Sequence, residues 1–246
     1  MDSIKEYYAQ NPIIAKLVAE LFGTMIIAVV YQVQGGTISV AVIYWMMLLL
    51  IGEIGHGYFN PVFLAANAIL KKIPLKEAPL ILVAQFLGAF TGTGIATGFN
   101  DKGVWQAYPA MKAGNYSLGQ AYAAEMFATM LLVAVILTVV DKISVYHEHP
   151  IIQCTCFAFM EYTLQTSFSN LCGGIFNMAI DVASNLVADE NDYPKCHDSL
   201  TIYFLAPPVG LILALLTYFI VFRPLAQIKT QEKQEYHSEA EEPFTQ

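Results

Sequence analysis

The sequence predicts an all-α membrane protein with six transmembrane helices, two re-entrant half-helices and an inverted internal repeat. Three observations carry this expectation. The 246 residues are 56% hydrophobic and only 13% charged, with a mean hydropathy of +0.51, whereas a soluble domain carries about 25% charged residues. Several apolar runs reach the length of about 20 helical residues that a hydrocarbon core requires. Two further apolar stretches are too short to cross at about 1.5 Å per residue, and each follows a Gly-rich segment and an Asn, Asn60 or Asn177.

Residues 1–12 are polar and contain no short cleavable apolar core, so they read as a cytoplasmic segment before a retained first crossing at 13–33. Gln34-Gly-Gly-Thr37 is a turn, and 38–54 the second crossing. The first short stretch runs from Pro61 to about Leu70 and ends at Lys71, Lys72 and Lys76. The third crossing covers 79–99, the fourth 119–140 and the fifth 151–168. The second short stretch runs from Asn177 to about Val187, the sixth crossing covers 200–222, and 223–246 reads as a disordered cytoplasmic tail. The channel domain is thus 13–222, with a first repeat over 13–99 and a second over 119–222. Lys5, Lys16, Lys71, Lys72, Lys76, Lys142, Arg223, Lys229 and Lys233 fall on the side of the N-terminus, against Lys102, Lys112 and Lys195 on the other. That bias places both termini in the cytoplasm. The membrane itself, plasma or intracellular, is left open by the sequence.

Much of the net charge of −8 sits in 189–198 and in the tail, both solvated ends, and no basic patch supports a nucleic-acid partner. Cys154, Cys156 and Cys172 lie in apolar surroundings and Cys196 in a polar loop. The spacing Cys154-x-Cys156 does not suit zinc, so these read as packing residues, and no metal or cofactor is implied. No nucleophile–base pair appears near the midplane, which argues against an enzyme.

The halves repeat. Ala19-Glu-Leu-Phe-Gly-Thr24 matches Ala124-Glu-Met-Phe-Ala-Thr129, Phe59-Asn-Pro-Val62 matches Phe176-Asn-Met-Ala179, and Gln85-Phe-Leu-Gly88 matches Tyr203-Phe-Leu-Ala206, with Gly92 against Gly210. Three crossings per half is odd, so the second half is inverted, and inverted repeats place a path at their interface. Irregular backbone at membrane depth is tolerated only inside protein or beside a water-filled cavity. A half-helix starting at Asn60 or Asn177 points its positive end at the midplane. Each Asn can cap its helix and turn its amide into the lumen, where passing water would exchange hydrogen bonds with it. The two positive ends would repel cations and oppose proton hopping.

These motifs resemble the aquaporin (major intrinsic protein) family. Gly52-Glu-Ile-Gly-His-Gly-Tyr-Phe-Asn-Pro-Val62 is similar to its first Asn-Pro-Ala loop and Gly173-Gly-Ile-Phe-Asn-Met-Ala179 to its second. The resemblance spans about 13–222 and implies a passive channel, a homotetramer with one pore per subunit, and a role for Glu20 and Glu125 in accepting backbone hydrogen bonds from the re-entrant loops. The pore motifs are then Asn60, Pro61 and Val62, and Asn177, Met178 and Ala179. Val62 adds bulk where the family has Ala. Met178 replaces a proline, which frees a backbone N–H and loosens the expected placement of Asn177. Aligned on the two asparagines, the filter positions fall at Val40, Gln165, Gly174 and Ile180, a neutral and mostly apolar set without the family's arginine. Asp181 matches the aspartate that follows that arginine in glycerol-type channels. The degenerate motifs look most like the unorthodox superaquaporin branch, although the branch's cysteine after the second motif has no match here.

The expected function is passage of water and small neutral solutes such as glycerol or hydrogen peroxide across a lipid bilayer. The alternatives are a poorly conducting structural membrane protein, motivated by Met178 and the missing arginine, and an inverted-repeat secondary transporter, motivated by Glu20 and Glu125. His147 and His149, beside Glu148, read as part of a solvated loop, with a pH-sensitive gate as the alternative, and His56 as a packing or backbone-bonding residue in the first re-entrant loop.

Overall fold

The computed structural model describes residues 2–34, 37–99, 117–141, 144, 148–187 and 200–229. The expectations placed on Lys102, Lys112, Lys142, Lys195, Lys233, His147, Cys196, the acidic stretch 189–198 and the chain beyond Lys229 lie outside the described residues.

Helices form where hydropathy demands them. A short α1 (Asp2–Gln10) precedes α2 (Pro12–Gln34) and α3 (Thr37–Gly55). The half-helix α4 (Pro61–Ile69) leads to α5 (Ala78–Thr97). Then follow α6 (Leu118–Val140), α7 (Pro150–Cys172), the half-helix α8 (Met178–Val187) and α9 (Leu200–Thr217). The last crossing continues through a π-helical turn, Tyr218–Phe222, and stays helical to Lys229, beyond the end read from the sequence. Pro207 and Pro208 lie inside α9, where each removes a backbone donor, and helix spacing adjusts downstream.

Five helices among the described residues are long and apolar enough to cross a membrane. The helix α7 is equally long at 23 residues, about 35 Å at the usual rise, but Gln153, Glu161, Gln165 and Asn170 lower its hydropathy. Outward faces carry large apolar side chains, with Ile38 63% and Phe159 68% exposed, as suits contact with lipid tails rather than water.

The two halves pack alike. In the first, α2 lies against α5 and α3; in the second, α6 lies against α9 and α7. The halves join through α3 against α7, and each half-helix also reaches the other half, α8 against α5 and α4 against α9. The close pairs depend on small residues, because lipid offers no hydrophobic drive and packing must supply the attraction. A side chain at Gly88 or Gly92 would run into the Leu21 or Met25 carbonyl of α2, and one at Gly210 into the Met126 carbonyl of α6. On one face of the bundle, Lys16 Nζ meets Glu77 Oε2 at 2.9 Å and ties the start of α2 to the start of α5.

Gly88→Val should therefore force α2 and α5 apart and cost about 2 kcal/mol, as overpacking does. Gly94, with nothing within 4 Å of a built side chain, should tolerate Gly94→Ala. Melting temperatures of the detergent-solubilised protein, read by size-exclusion fluorescence, check the contrast.

Candidate functional site

Both half-helices begin at an asparagine, and the two starts meet. Asn60 is extended, with φ −149° and ψ 127°, and its side chain accepts from Val62 N at 3.0 Å while Pro61 occupies the first helical position. Proline there loses no intrahelical bond. Asn177 caps α8 in the same way, its Oδ1 accepting from Ala179 N at 3.1 Å and Ile180 N at 3.4 Å. Each amide then crosses to the other half. Asn60 Nδ2 donates to the Phe176 carbonyl at 2.8 Å, and Asn177 Nδ2 donates to the Phe59 carbonyl at 2.7 Å. Each asparagine thus grips the residue that precedes its counterpart, and the positive ends of two helix dipoles face one another in the interior.

Phe59 and Phe176 share a left-handed backbone, with φ 47° and 51°. For a bulky residue this costs about 1–3 kcal/mol and persists only where surroundings enforce it. In the first half Glu20 does so, accepting from Tyr58 N at 2.9 Å, Phe59 N at 2.8 Å and Gln85 Nε2 at 2.8 Å. The second half differs. Neither oxygen of the buried Glu125 has a hydrogen-bond partner among the described residues, and the Cys172 thiol lies beside it. Here the loop is held through its carbonyls instead. Tyr31 donates to the Gly173 carbonyl at 2.9 Å, and Tyr203, which stands where the first half has Gln85, donates to the Cys172 carbonyl at 2.8 Å. Tyrosine presents one donor, spent on the carbonyl, and leaves none for the carboxyl.

Asn177 is held more firmly than the loss of proline at Met178 suggests. Its backbone N–H donates to Asp181 Oδ2 at 3.1 Å, and its amide also donates to the Tyr44 hydroxyl at 2.5 Å. Both hydrogens of the Asn177 amide are therefore engaged with protein, and one hydrogen of the Asn60 amide. Val62 and Ala179 are buried in the first turns of α4 and α8, and Met178 is half-buried. Of the filter positions, Val40 sits near the start of α3, Gln165 on α7, Gly174 in the second loop with φ 83°, and Ile180 on α8, all buried. Gln165 Nε2 donates to Glu161 Oε1 at 2.8 Å. His56 is an exposed loop residue stacked on Tyr58 at 5.4 Å, and His149 is exposed at the start of α7. No group of three His, Cys, Asp or Glu among the described residues is placed to hold a metal ion.

Below the asparagines a cavity of about 280 Å³ opens on the face where α3 and α6 end and α7 begins, bounded by Glu53, His56, Asn67, Val140, Pro150 and Gln153 at its mouth and sides. Its inner wall includes Tyr44, Phe63 and Phe157. The sequence reading missed Tyr44 and Glu161. A lone carboxyl within an apolar crossing is the signal that finds Glu161; nothing local to Tyr44 announces a partner 133 residues away.

The contrast between the two glutamates is testable. Glu20→Gln removes one acceptor and aims an amide at backbone donors, which should cost about 2 kcal/mol and speed hydrogen exchange at Tyr58 and Phe59. Glu125→Gln should leave stability nearly unchanged. Melting curves with exchange mass spectrometry on the same preparations check both.

The chain has relatives among known proteins. The family model for the major intrinsic protein matches residues 9–218. Aquaporin PIP1-1 of Arabidopsis thaliana is 26% identical over 218 residues, covering 85% of this chain and 67% of that protein. The probable aquaporin PIP1-5 of the same plant is 27% identical over 215 residues, with the same coverage. The solved aquaglyceroporin from Plasmodium falciparum shares the fold, with a TM-score of 0.75 at 20% identity over 88% of this chain and 99% of that one. Paired half-helices starting at asparagines, inverted packing and a match across most of the length lead to one conclusion: the chain belongs to the major intrinsic protein family, whose members are passive channels and not enzymes.

Proposed function

We propose that this chain is a passive channel for water and small neutral solutes such as glycerol or hydrogen peroxide. The observation that carries the reading is the reciprocal bonding of Asn60 to the Phe176 carbonyl and of Asn177 to the Phe59 carbonyl, where two half-helix N-termini meet. Those paired positive ends disfavour cations at the midplane. In this reading α7 also crosses the membrane, which brings the crossings to six, both termini face the cytoplasm, and four copies assemble with one pore each. Val40, Gln165, Gly174 and Ile180 form the outer mouth. Its lack of a fixed cation favours neutral solutes larger than water, in keeping with the relatives named as aquaporins and the neighbour named as an aquaglyceroporin. Met178 and Ile180 favour the branch with degenerate motifs. Glu20, engaged by three donors, suits an anchor better than the carrier of a secondary transporter. The burial of every filter position favours one rival, a poorly conducting structural protein with the same fold.

Stopped-flow light scattering on proteoliposomes tests the reading. Water flux should exceed that of empty liposomes, with a low activation energy, and should fall in Asn60→Asp, which removes the amide donor and adds an acceptor at the crossing. Glycerol flux above background is expected as well; equal glycerol rates with and without protein would overturn the solute reading. Saturable, proton-coupled flux would favour a transporter.

A further inference from the structure

We propose that Tyr44 is the residue that closes this pore and sets its conductance, its phenol sealing the path at the plane of the two asparagines. The inference rests on the channel reading above and deepens it. Tyr44 lies on α3 one helical turn beyond Val40, and is 1% exposed. An asparagine amide has two hydrogens to give. Those of Asn177 go to the Phe59 carbonyl and to the Tyr44 hydroxyl, at 2.7 and 2.5 Å. No amide hydrogen of Asn177 is then left for a passing water.

The ring also fills space. Tyr44 meets Phe157 edge-on at 5.2 Å, and Phe157 meets Phe63 edge-on at 5.5 Å. Three aromatic rings from α3, α4 and α7 therefore close the inner end of the path, drawing on both halves of the molecule. On one side of them lies the cavity of about 280 Å³, the liquid volume of roughly nine waters. At and beyond them, Asn60, Asn177, Val40, Gln165 and Ile180 are exposed by 2% or less. Water reaches the rings and stops.

The seal is built to be exchangeable. A phenol oxygen and a water oxygen are equivalent acceptors for an amide N–H, so a water that displaces Tyr44 from Asn177 restores the bond it breaks. The cavity that Tyr44 lines gives the displaced ring somewhere to go. Opening thus needs a side-chain rotation and no movement of helices.

The test uses the full chain in proteoliposomes, comparing wild type, Tyr44→Ala and Tyr44→Phe, with folding checked by size exclusion and circular dichroism. Tyr44→Ala should raise water permeability about tenfold by widening the constriction. Tyr44→Phe, which keeps the ring, should raise it by up to about fivefold, the scale of one lost hydrogen bond; it decides the matter if the alanine variant does not fold. A wild type above the empty-liposome rate with either variant faster still supports the seal and the channel together. A wild type that conducts, with both variants equal to it or slower, overturns the seal and leaves the channel reading standing. Folded wild type and variants all at the empty-liposome rate overturn both.

Discussion

The structure depends on the grip that Asn60 and Asn177 each take on the opposite re-entrant loop. A half-helix in a bilayer leaves its first backbone donors and its entering loop without partners, and lipid supplies none, so every such group must find its partner within the protein. Two asparagines meet this demand at once. The oxygen of each caps its own helix, and the nitrogen of each binds the carbonyl of Phe59 or Phe176 in the opposite loop. Neither half can satisfy its loop alone. The fold is therefore held at its centre by polar contacts between halves, while small residues such as Gly88, Gly92 and Gly210 let the surrounding helices close around them.

The repeat is exact in topology and inexact in chemistry. Both loops adopt the same left-handed backbone before their asparagine, but one is fixed by a carboxylate accepting N–H groups and the other by two tyrosines donating to carbonyls. Gln85 donates to Glu20, whereas Tyr203 at the matching position donates to the Cys172 carbonyl. Glu125, Glu161 and Asp181 are all buried in the second half, and the family's filter arginine has no counterpart near them. Among the described residues the second half thus buries three carboxyl groups where the first buries Glu20 alone.

Sequence alone determined the large features, because a hydrocarbon environment punishes every exception: apolar runs must be helices, short runs must be re-entrant, and an odd number of crossings must invert the repeat. The paired asparagines, the glutamates and the missing arginine were equally legible as residue types at fixed spacing. The helix α7 was harder to grade by hydropathy because its interior face carries Glu161 and Gln165, whose burial depends on neighbouring helices. Tertiary structure alone decided the partners. That Asn177 meets Tyr44 across 133 residues, that Asp181 ties back to Asn177, and that Glu125 lacks the donors Glu20 enjoys are facts of three-dimensional approach. Burial follows from the solvent each segment must face, which composition records; a hydrogen bond follows from distance and direction between two groups, which only the packed chain fixes.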